Sequence, residues 1–314
     1  MKNYPLKKIL LLRPDRLGDV MLTLPALGAL KKKYPDSQFY FLVNKNLAPL
    51  LLNHPDLSGV LEMTSGEKSG ELARKIKPHR FDCAIHFFLK KETVLATFLS
   101  GIPLRIGPAS KIWALFLNKR VTQHRSRSEK NEAQYNLDLV SCLGIDLFPE
   151  RAAAPVTHEE RIDLLSFLRE EGLKSGTFVL IHPGGAKQGK ALSPRHFKEL
   201  AWELKKRNIP VAVSIGPDEE RLKDQFRDFL IVEHLPLRVF AAFLSHPAVF
   251  VTNSTGPLHL AVSLDTPTVS FFGKSRGVSP LRWGPWPPSL KHKTFFTDEF
   301  SLETTLQAIA SFLP

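Results

Sequence analysis

The stretch V-T-N-S-T-G-P-L-H-L-A, Val251 to Ala261, passes from strand to helix. Its front end continues an apolar, β-branched run from Val249, the pattern of a strand buried on both faces of a parallel sheet. Gly256 and Pro257 then open a helical stretch, with proline in the first turn, where its missing N–H costs nothing. Outward from this unit the same rhythm repeats. Ile9–Leu12, Phe39–Val43, Gly59–Met63 and Cys83–Phe88 read as strands in the first half of the chain. Phe178–Ile181, Val211–Ile215, Val249–Val251 and Thr268–Phe272 read as strands in the second. Helix-period segments separate them: Val20–Tyr34, Glu71–Lys77, Glu129–Leu143, Pro194–Arg207 and Leu237–Ser245. Strands alternating with helices predict an α/β fold with parallel sheets.

At 314 residues the chain exceeds the length over which one hydrophobic core grows efficiently, so two domains are expected. The rhythm breaks at F-P-E-R-A-A-A-P-V-T, Phe148 to Thr157, which places the domains at 1–150 and 151–314. The last helical segment, Leu302 to Leu313, could pack on either domain, including back onto the N-terminal one. A hydrophobic fraction of 43% excludes disorder, and two cysteines, Cys83 and Cys142, exclude a disulfide scaffold and suit a reducing cytoplasm. No stretch approaches the ~18 apolar residues of a membrane span, and the four-residue run before Arg13 is too short for a signal-peptide core.

Charge is uneven. The formal net charge is +12; residues 1–157 hold 24 Lys+Arg against 14 Asp+Glu, and residues 158–314 hold 19 against 17. Thr93 to Ser128 contains no acidic residue but includes Arg105, Lys111, Lys119, Arg120, Arg125 and Arg127. An anionic partner should therefore meet the first half, although a basic surplus also serves plain solubility. Within this segment, K-I-W-A-L-F-L-N-K-R (Lys111 to Arg120) reads as an amphipathic helix, with docking on an anionic membrane as the other reading.

Ligands of open α/β sheets bind at the carboxyl ends of strands, so the loops after Leu12, Ile181, Ile215, Val251 and Phe272 should line the cleft. The first, R-P-D-R-L-G-D (Arg13 to Asp19), has one glycine and is no dinucleotide fingerprint. It offers a carboxylate, Asp19, beside a helix N-terminus, with Arg13 and Arg16 close by. Asp19 reads as an N-cap, a role compatible with a carboxylate kept ionised by the helix dipole and the arginines so that it can accept a proton. The second loop, I-H-P-G-G-A-K-Q-G-K-A-L-S-P (Ile181 to Pro194), has Gly184, Gly185 and Gly189 for close backbone approach and Lys187 and Lys190 as point charges for phosphate. A flexible surface connection is its plainer reading. In the third, the Ser254 and Thr255 hydroxyls and the free N–H groups after Gly256 suit a pyrophosphate, with His259 one turn in; a well-capped helix carrying a buried histidine is the alternative. H-E-x-x-H and paired-cysteine motifs are both missing. Trp283 and Trp286 read as loop anchors.

Taken together, L-L-L-R-P-D-R-L-G-D-V-M-L-T-L-P-A-L, I-H-P-G-G-A-K-Q-G-K-A-L-S-P-R-H-F-K-E-L-A and T-N-S-T-G-P-L-H-L-A-V-S-L-D-T-P-T-V resemble, in order and from Leu10 to Phe272, the signatures of the lipopolysaccharide heptosyltransferases, glycosyltransferase family 9. The resemblance implies a GT-B enzyme: two Rossmann-like domains with parallel sheets facing across a cleft, acceptor on the first and nucleotide sugar on the second. It further implies transfer with inversion, no metal and no cofactor beyond the nucleotide-sugar co-substrate, with ADP-heptose as the expected donor. By position, Asp19 matches the family's catalytic base. Lys190 matches the lysine that neutralises donor phosphate, and Thr255-Gly256 with His259 match the pyrophosphate loop. Gly184, Gly185, Lys187 and Ser254 complete the donor side; many members carry Asp where this chain has Ser254. Arg13, Arg16, Arg105 and Arg120 are the acceptor-side candidates for an anionic lipid A/Kdo-type glycolipid at the inner, cytoplasmic face of the membrane. Competing readings are a GT-B transferase or nucleotide-sugar epimerase serving another glycan, and a non-enzymatic protein binding nucleic acid or anionic membrane. Nucleic acid is not expected as a partner, since no binding module is recognisable.

Overall fold

The computed structural model describes residues 6–145, 156–185 and 191–314. The chain divides into two compact units, residues 1–153 and 154–314. The Phe148–Thr157 break lies almost wholly outside the described residues, as do Lys187, Gly189 and Lys190 of the glycine loop.

In the first unit, β1 (Lys8–Leu12), β2 (Gln38–Asn44), β3 (Gly59–Met63), β4 (Cys83–His86), β5 (Leu104–Pro108) and β6 (Lys119–Val121) form one sheet in the order β3-β2-β1-β4-β5-β6. All its pairings are parallel. Successive side chains of a strand face opposite sides of the sheet, and Ile9, Leu10, Leu11 and Leu12 are all fully buried. Both faces of the sheet are therefore covered, which is why β1 reads as an unbroken apolar run. Leu10, Leu12 and Leu42 pack on Leu72 and Ile76 of the helix Ser69–Ile76 and on Ala96 of the helix Lys91–Leu99.

The second unit repeats the plan. Strands β7 (Val179–His182), β8 (Val211–Ile215), β9 (Leu230–Glu233), β10 (Val249–Asn253), β11 (Thr268–Phe272) and β12 (His292–Phe296) pair in parallel in the order β12-β11-β10-β7-β8-β9. Counted from its own first strand, this is the same doubly wound order as in the first unit. Leu306 and Ile309 of the C-terminal helix Leu302–Ala310 lie in the core of the second unit, beside Phe197, Val213 and Phe271. The expectation that this helix could return to the N-terminal domain is thus corrected: its apolar stripe is consumed here.

Two helix expectations change as well. Val20–Tyr34 is two helices, Leu17–Met21 and Leu24–Lys33, broken at Leu22–Thr23. Thr23 precedes Pro25 in the next first turn, and Asn136 Nδ2 donates to the Leu22 carbonyl (2.9 Å), satisfying the acceptor freed by the break. Lys111–Arg120 is no amphipathic helix. It is a 3₁₀ turn, Ile112–Phe116, running into strand β6.

Candidate active site

An open doubly wound sheet has a switch point where strand order reverses, and ligands gather at the carboxyl ends there. In the first unit that point lies between β1 and β4, in the second between β7 and β10. The loops that follow these four strands contain most of the expected site residues.

After β1 the chain runs through Arg13 into the helix Leu17–Met21. Its N-cap is Arg16, and Asp19 sits in the first turn at the third helical position. The N-cap reading of Asp19 is thereby corrected. Asp19 is buried, and its carboxylate pairs with Arg13 Nη2. Arg13 is only 2% exposed, and its fork is fully used. Nε meets Asp15 at 2.8 Å, while Nη1 reaches Glu132 Oε1 at 2.9 Å and the Phe87 carbonyl at 3.2 Å. Arg125 adds a second guanidinium against Glu132 and donates to Asn136 Oδ1 at 3.1 Å. Asn136 also donates to Thr23 Oγ1, which in turn donates to the Asp19 carbonyl at 2.8 Å. Both the side chain and the backbone of Asp19 are therefore fixed from the helix Glu132–Val140.

The electrostatics follow from this packing. Burial pushes the Asp19 carboxyl up to about 6; Arg13 opposes that shift, and Asp15 and Glu132 add to it. Burial also raises Asp15, again against Arg13. Burial alone would lower Arg13, but the surrounding carboxylates outweigh it and hold the guanidinium charged. Arg13 thus offsets desolvation only in part, leaving a carboxylate of intermediate basicity that is still ionised at pH 7.

Of the acceptor-side candidates, Arg16 is exposed at the mouth of this loop. Arg13 is corrected from an acceptor contact to a residue that positions Asp19, because it is buried with every nitrogen engaged. Arg105 is corrected too. Its Nε donates to the Phe116 carbonyl at 2.9 Å, its Nη1 to that of Ile102, and its guanidinium lies over Phe98. Arg120 is exposed on the edge strand β6, away from the β1 loop. A polar feature that sequence reasoning missed lies instead at the loops after β3 and β4. There Lys68, Lys90 and Lys91, together with Glu67 and Glu92, line a pocket of about 260 Å³.

In the second unit, Asn253 joins the two switch-point loops, a role the sequence reading missed. Buried at the end of β10, its Nδ2 donates to the Gly184 carbonyl (2.8 Å) and the Leu192 carbonyl (3.2 Å), and its Oδ1 accepts from Leu192 N (2.8 Å). It thus grips both ends of the glycine loop. Gly185 has φ +91°, and a Cβ there would stand 2.8 Å from Thr255 Cγ2, so only glycine fits. A Cβ on Gly184 would overlap the carboxylate of Glu219, also missed, which accepts from Gly185 N and Gly216 N at 3.1 Å each. Ser254, Thr255 and Gly256 are half-buried at the start of the helix Gly256–Ser263, and Thr255 Oγ1 lies 3.1 Å from Thr252 Oγ1. His259 is buried on that helix with Nδ1 unpartnered. Burial lowers its pKa to about 4, so it is neutral near pH 7 and offers a hydrogen bond rather than a charge. His182 hydrogen-bonds the Ser214 carbonyl (3.1 Å) as a strand-end histidine, and Trp283 donates to the Gly277 carbonyl as a loop anchor. Lys187 and Lys190 lie outside the described residues. Among the described residues, no three His, Cys, Asp or Glu side chains gather into a possible metal site.

Comparison with known proteins bears on this arrangement. The family model for glycosyltransferase family 9 (heptosyltransferase) matches residues 70–301. A Haemophilus influenzae protein provisionally named a glycosyltransferase is 30% identical, the match covering 98% of this chain and 97% of that protein. The crystal structure of a family 9 glycosyl transferase from Veillonella parvula superposes with a TM-score of 0.87 at 19% identity, over 98% of each chain. An Escherichia coli structure titled ADP-heptose lps heptosyltransferase II superposes at 0.82 and 18% identity, over 97% of this chain and 98% of that one. These two superpositions speak to the fold, which is that of GT-B heptosyltransferases.

Proposed function

The chain belongs to glycosyltransferase family 9, and on that premise we propose that it moves a heptose from ADP-heptose to the inner core of a lipopolysaccharide acceptor, inverting the anomeric carbon without a metal. It is a glycosyltransferase enzyme of the heptosyltransferase kind; donor, acceptor and mechanism are the proposal. The observation that carries it is Asp19: a buried carboxylate at the carboxyl edge of the first sheet, held by Arg13 and raised to about 6. A general base works best with a pKa near the operating pH, and a carboxylate near 6 is both ionised and basic at pH 7. ADP-heptose as donor is supported by the name of the similar Escherichia coli enzyme.

In this reading Asp19 accepts the proton of an acceptor hydroxyl as its oxygen bonds to the anomeric carbon. The carbon–oxygen bond to the diphosphate breaks, and the nucleoside diphosphate leaves with the electron pair. The N–H groups opening the helix Gly256–Ser263, the Thr255 hydroxyl and neutral His259 receive the diphosphate, with Lys187 and Lys190 supplying positive charge. Ser254 stands where many relatives place Asp and donates a hydrogen bond instead. Arg16, Lys68 and Lys90 meet acceptor phosphates or carboxylates, at the cytoplasmic face of the membrane.

The test is nucleoside diphosphate release over a panel of ADP- and UDP-sugars, with phosphorylated or Kdo-bearing lipid A as acceptor. ADP-heptose should be the preferred donor; preference for a UDP-sugar would overturn the donor assignment. Asp19→Asn should lower kcat by ~10³-fold or more with donor affinity unchanged, and retained turnover would remove Asp19 as the base.

A further inference from the structure

The 3₁₀ turn Ile112–Phe116 is apolar on all sides. Side chains three apart eclipse in a 3₁₀ helix, and here the two sets do opposite things. Trp113 and Phe116 face inward and pack on Leu89, Val94, Ala114 and Leu117. Ile112 and Leu115 are 71% and 68% exposed. Phe98 and Leu99, at the end of the helix Lys91–Leu99, are also exposed, and Phe98 meets Phe116 edge-on with ring centroids 5.2 Å apart. Four large apolar side chains thus stand out of one patch, more than scattered surface leucines require.

The patch is held rigid. Arg105 clasps the Ile102 and Phe116 carbonyls, while Asn118 accepts from Arg105 N (2.8 Å) and donates to the Pro103 carbonyl. Lys111 Nζ donates to the Leu89 carbonyl at 3.0 Å and lies over the Phe88 ring. Beside the patch the charge is mainly positive: Lys91, Lys111, Lys119 and Arg120 lie on or next to its elements against Glu92, and no acidic residue occurs from Thr93 to Ser128. A protein partner of mixed charge does not call for such an excess of one sign, whereas an anionic bilayer attracts basic residues and accepts exposed aliphatic chains at its interface.

We propose that Ile112 and Leu115, with Phe98 and Leu99 beside them, form a preformed hook that inserts into the interface of an anionic phospholipid bilayer, while Lys91, Lys111, Lys119 and Arg120 meet its headgroups. This rests on the glycolipid-acceptor reading for its purpose, but the binding is measurable without turnover. Vesicles of phosphatidylglycerol in phosphatidylcholine should bind the full chain, and pure phosphatidylcholine vesicles should bind it weakly. Salt should weaken the anionic binding. Ile112→Ser with Leu115→Ser should lower the partition coefficient on the order of tenfold per side chain. Turnover on a water-soluble, deacylated acceptor should stay at the parent level, which also reports that the variant is folded. Turnover on the same acceptor embedded in anionic vesicles should fall with the partition coefficient.

Equal binding by the parent and the double variant would overturn the hook, as would equal binding to charged and neutral vesicles. A concentration-dependent dimer that the double variant abolishes, without vesicle binding by the parent, would assign the patch to a second copy of the chain instead. Loss of turnover on every acceptor by the parent, with vesicle binding intact, would fault the proposed reaction and leave the hook standing.

Discussion

The two units share one strand order and place their loops at equivalent switch points, yet fill those points with opposite chemistry. In the first, Arg13, Asp19 and Glu132 are buried together with half-buried Asp15 and Arg125 against them, and the Asp19 carboxylate is pushed up to about 6. In the second, the described groups are glycines, hydroxyls, amides and a neutral histidine, with the carboxylate of Glu219 resting on two glycine N–H groups. Topology chooses the place, and the side chains choose the work. A buried carboxylate raised by desolvation suits proton removal, whereas backbone amides suit an anion that arrives and leaves.

Substitutions can break this contrast one side at a time. After Asp19→Asn, the largest effect is expected from Gly185→Val. A β-branched residue at φ +91°, with its Cβ pressed on Thr255, should weaken donor binding by ~10–100-fold and leave acceptor binding unchanged; an unaltered donor KM would remove the glycine loop from the donor site. Arg13→Lys comes next. It keeps a charge but loses the fork, and kcat should fall about tenfold. Because Arg13 holds the Asp19 pKa down, weakening the pair should move the acid limb of the kcat/KM profile above about pH 6; an unmoved limb would separate Arg13 from the base.

The smallest effect concerns stability. Burial lowers His86 to about 3 and His259 to about 4, below the ordinary histidine value of about 6.5. The unfolded chain therefore binds these protons first, and their contribution is complete above pH ~6.5 and lost on acidification towards the folded values. The slope reaches about 1.4 kcal/mol per pH unit for each histidine. Asp19 has the opposite sign: its raised pKa favours the folded state as pH falls from about 6 towards 4. Differential scanning calorimetry of the parent should show Tm falling below pH 6.5. His86→Asn should flatten the dependence of the first unit, and His259→Asn that of the second.

Much of the fold was legible because central strands such as β1 and β10 are unbroken apolar runs. The strands that escaped are peripheral: β5 carries Gly107 and Pro108, β6 is K-R-V, β9 is four residues, and β12 begins His-Lys. A strand near a sheet edge buries less and so leaves a weaker pattern. The break at Thr23 did carry a signal, a capping residue followed by Pro25, which the continuous helical period concealed. In the site, Asp19 and the glycine loop stood out through local sequence. Glu132, Asn136, Glu219 and Asn253 did not, because what identifies them is the distant loop each one holds. Arg13 and Arg105 misled for the same reason: a basic residue in sequence has no partner until the chain has folded around it.

The reach of Arg13 also sets an order of events. It joins its own loop to Phe87, 74 residues away, and to Glu132, 119 residues away. Contacts so distant in sequence form only after much loop entropy has been lost, and they arrive late in folding. In a refolding experiment, helical circular dichroism should therefore return before catalytic competence, since the carboxylate reaches its working geometry only when the segment around Glu132 docks.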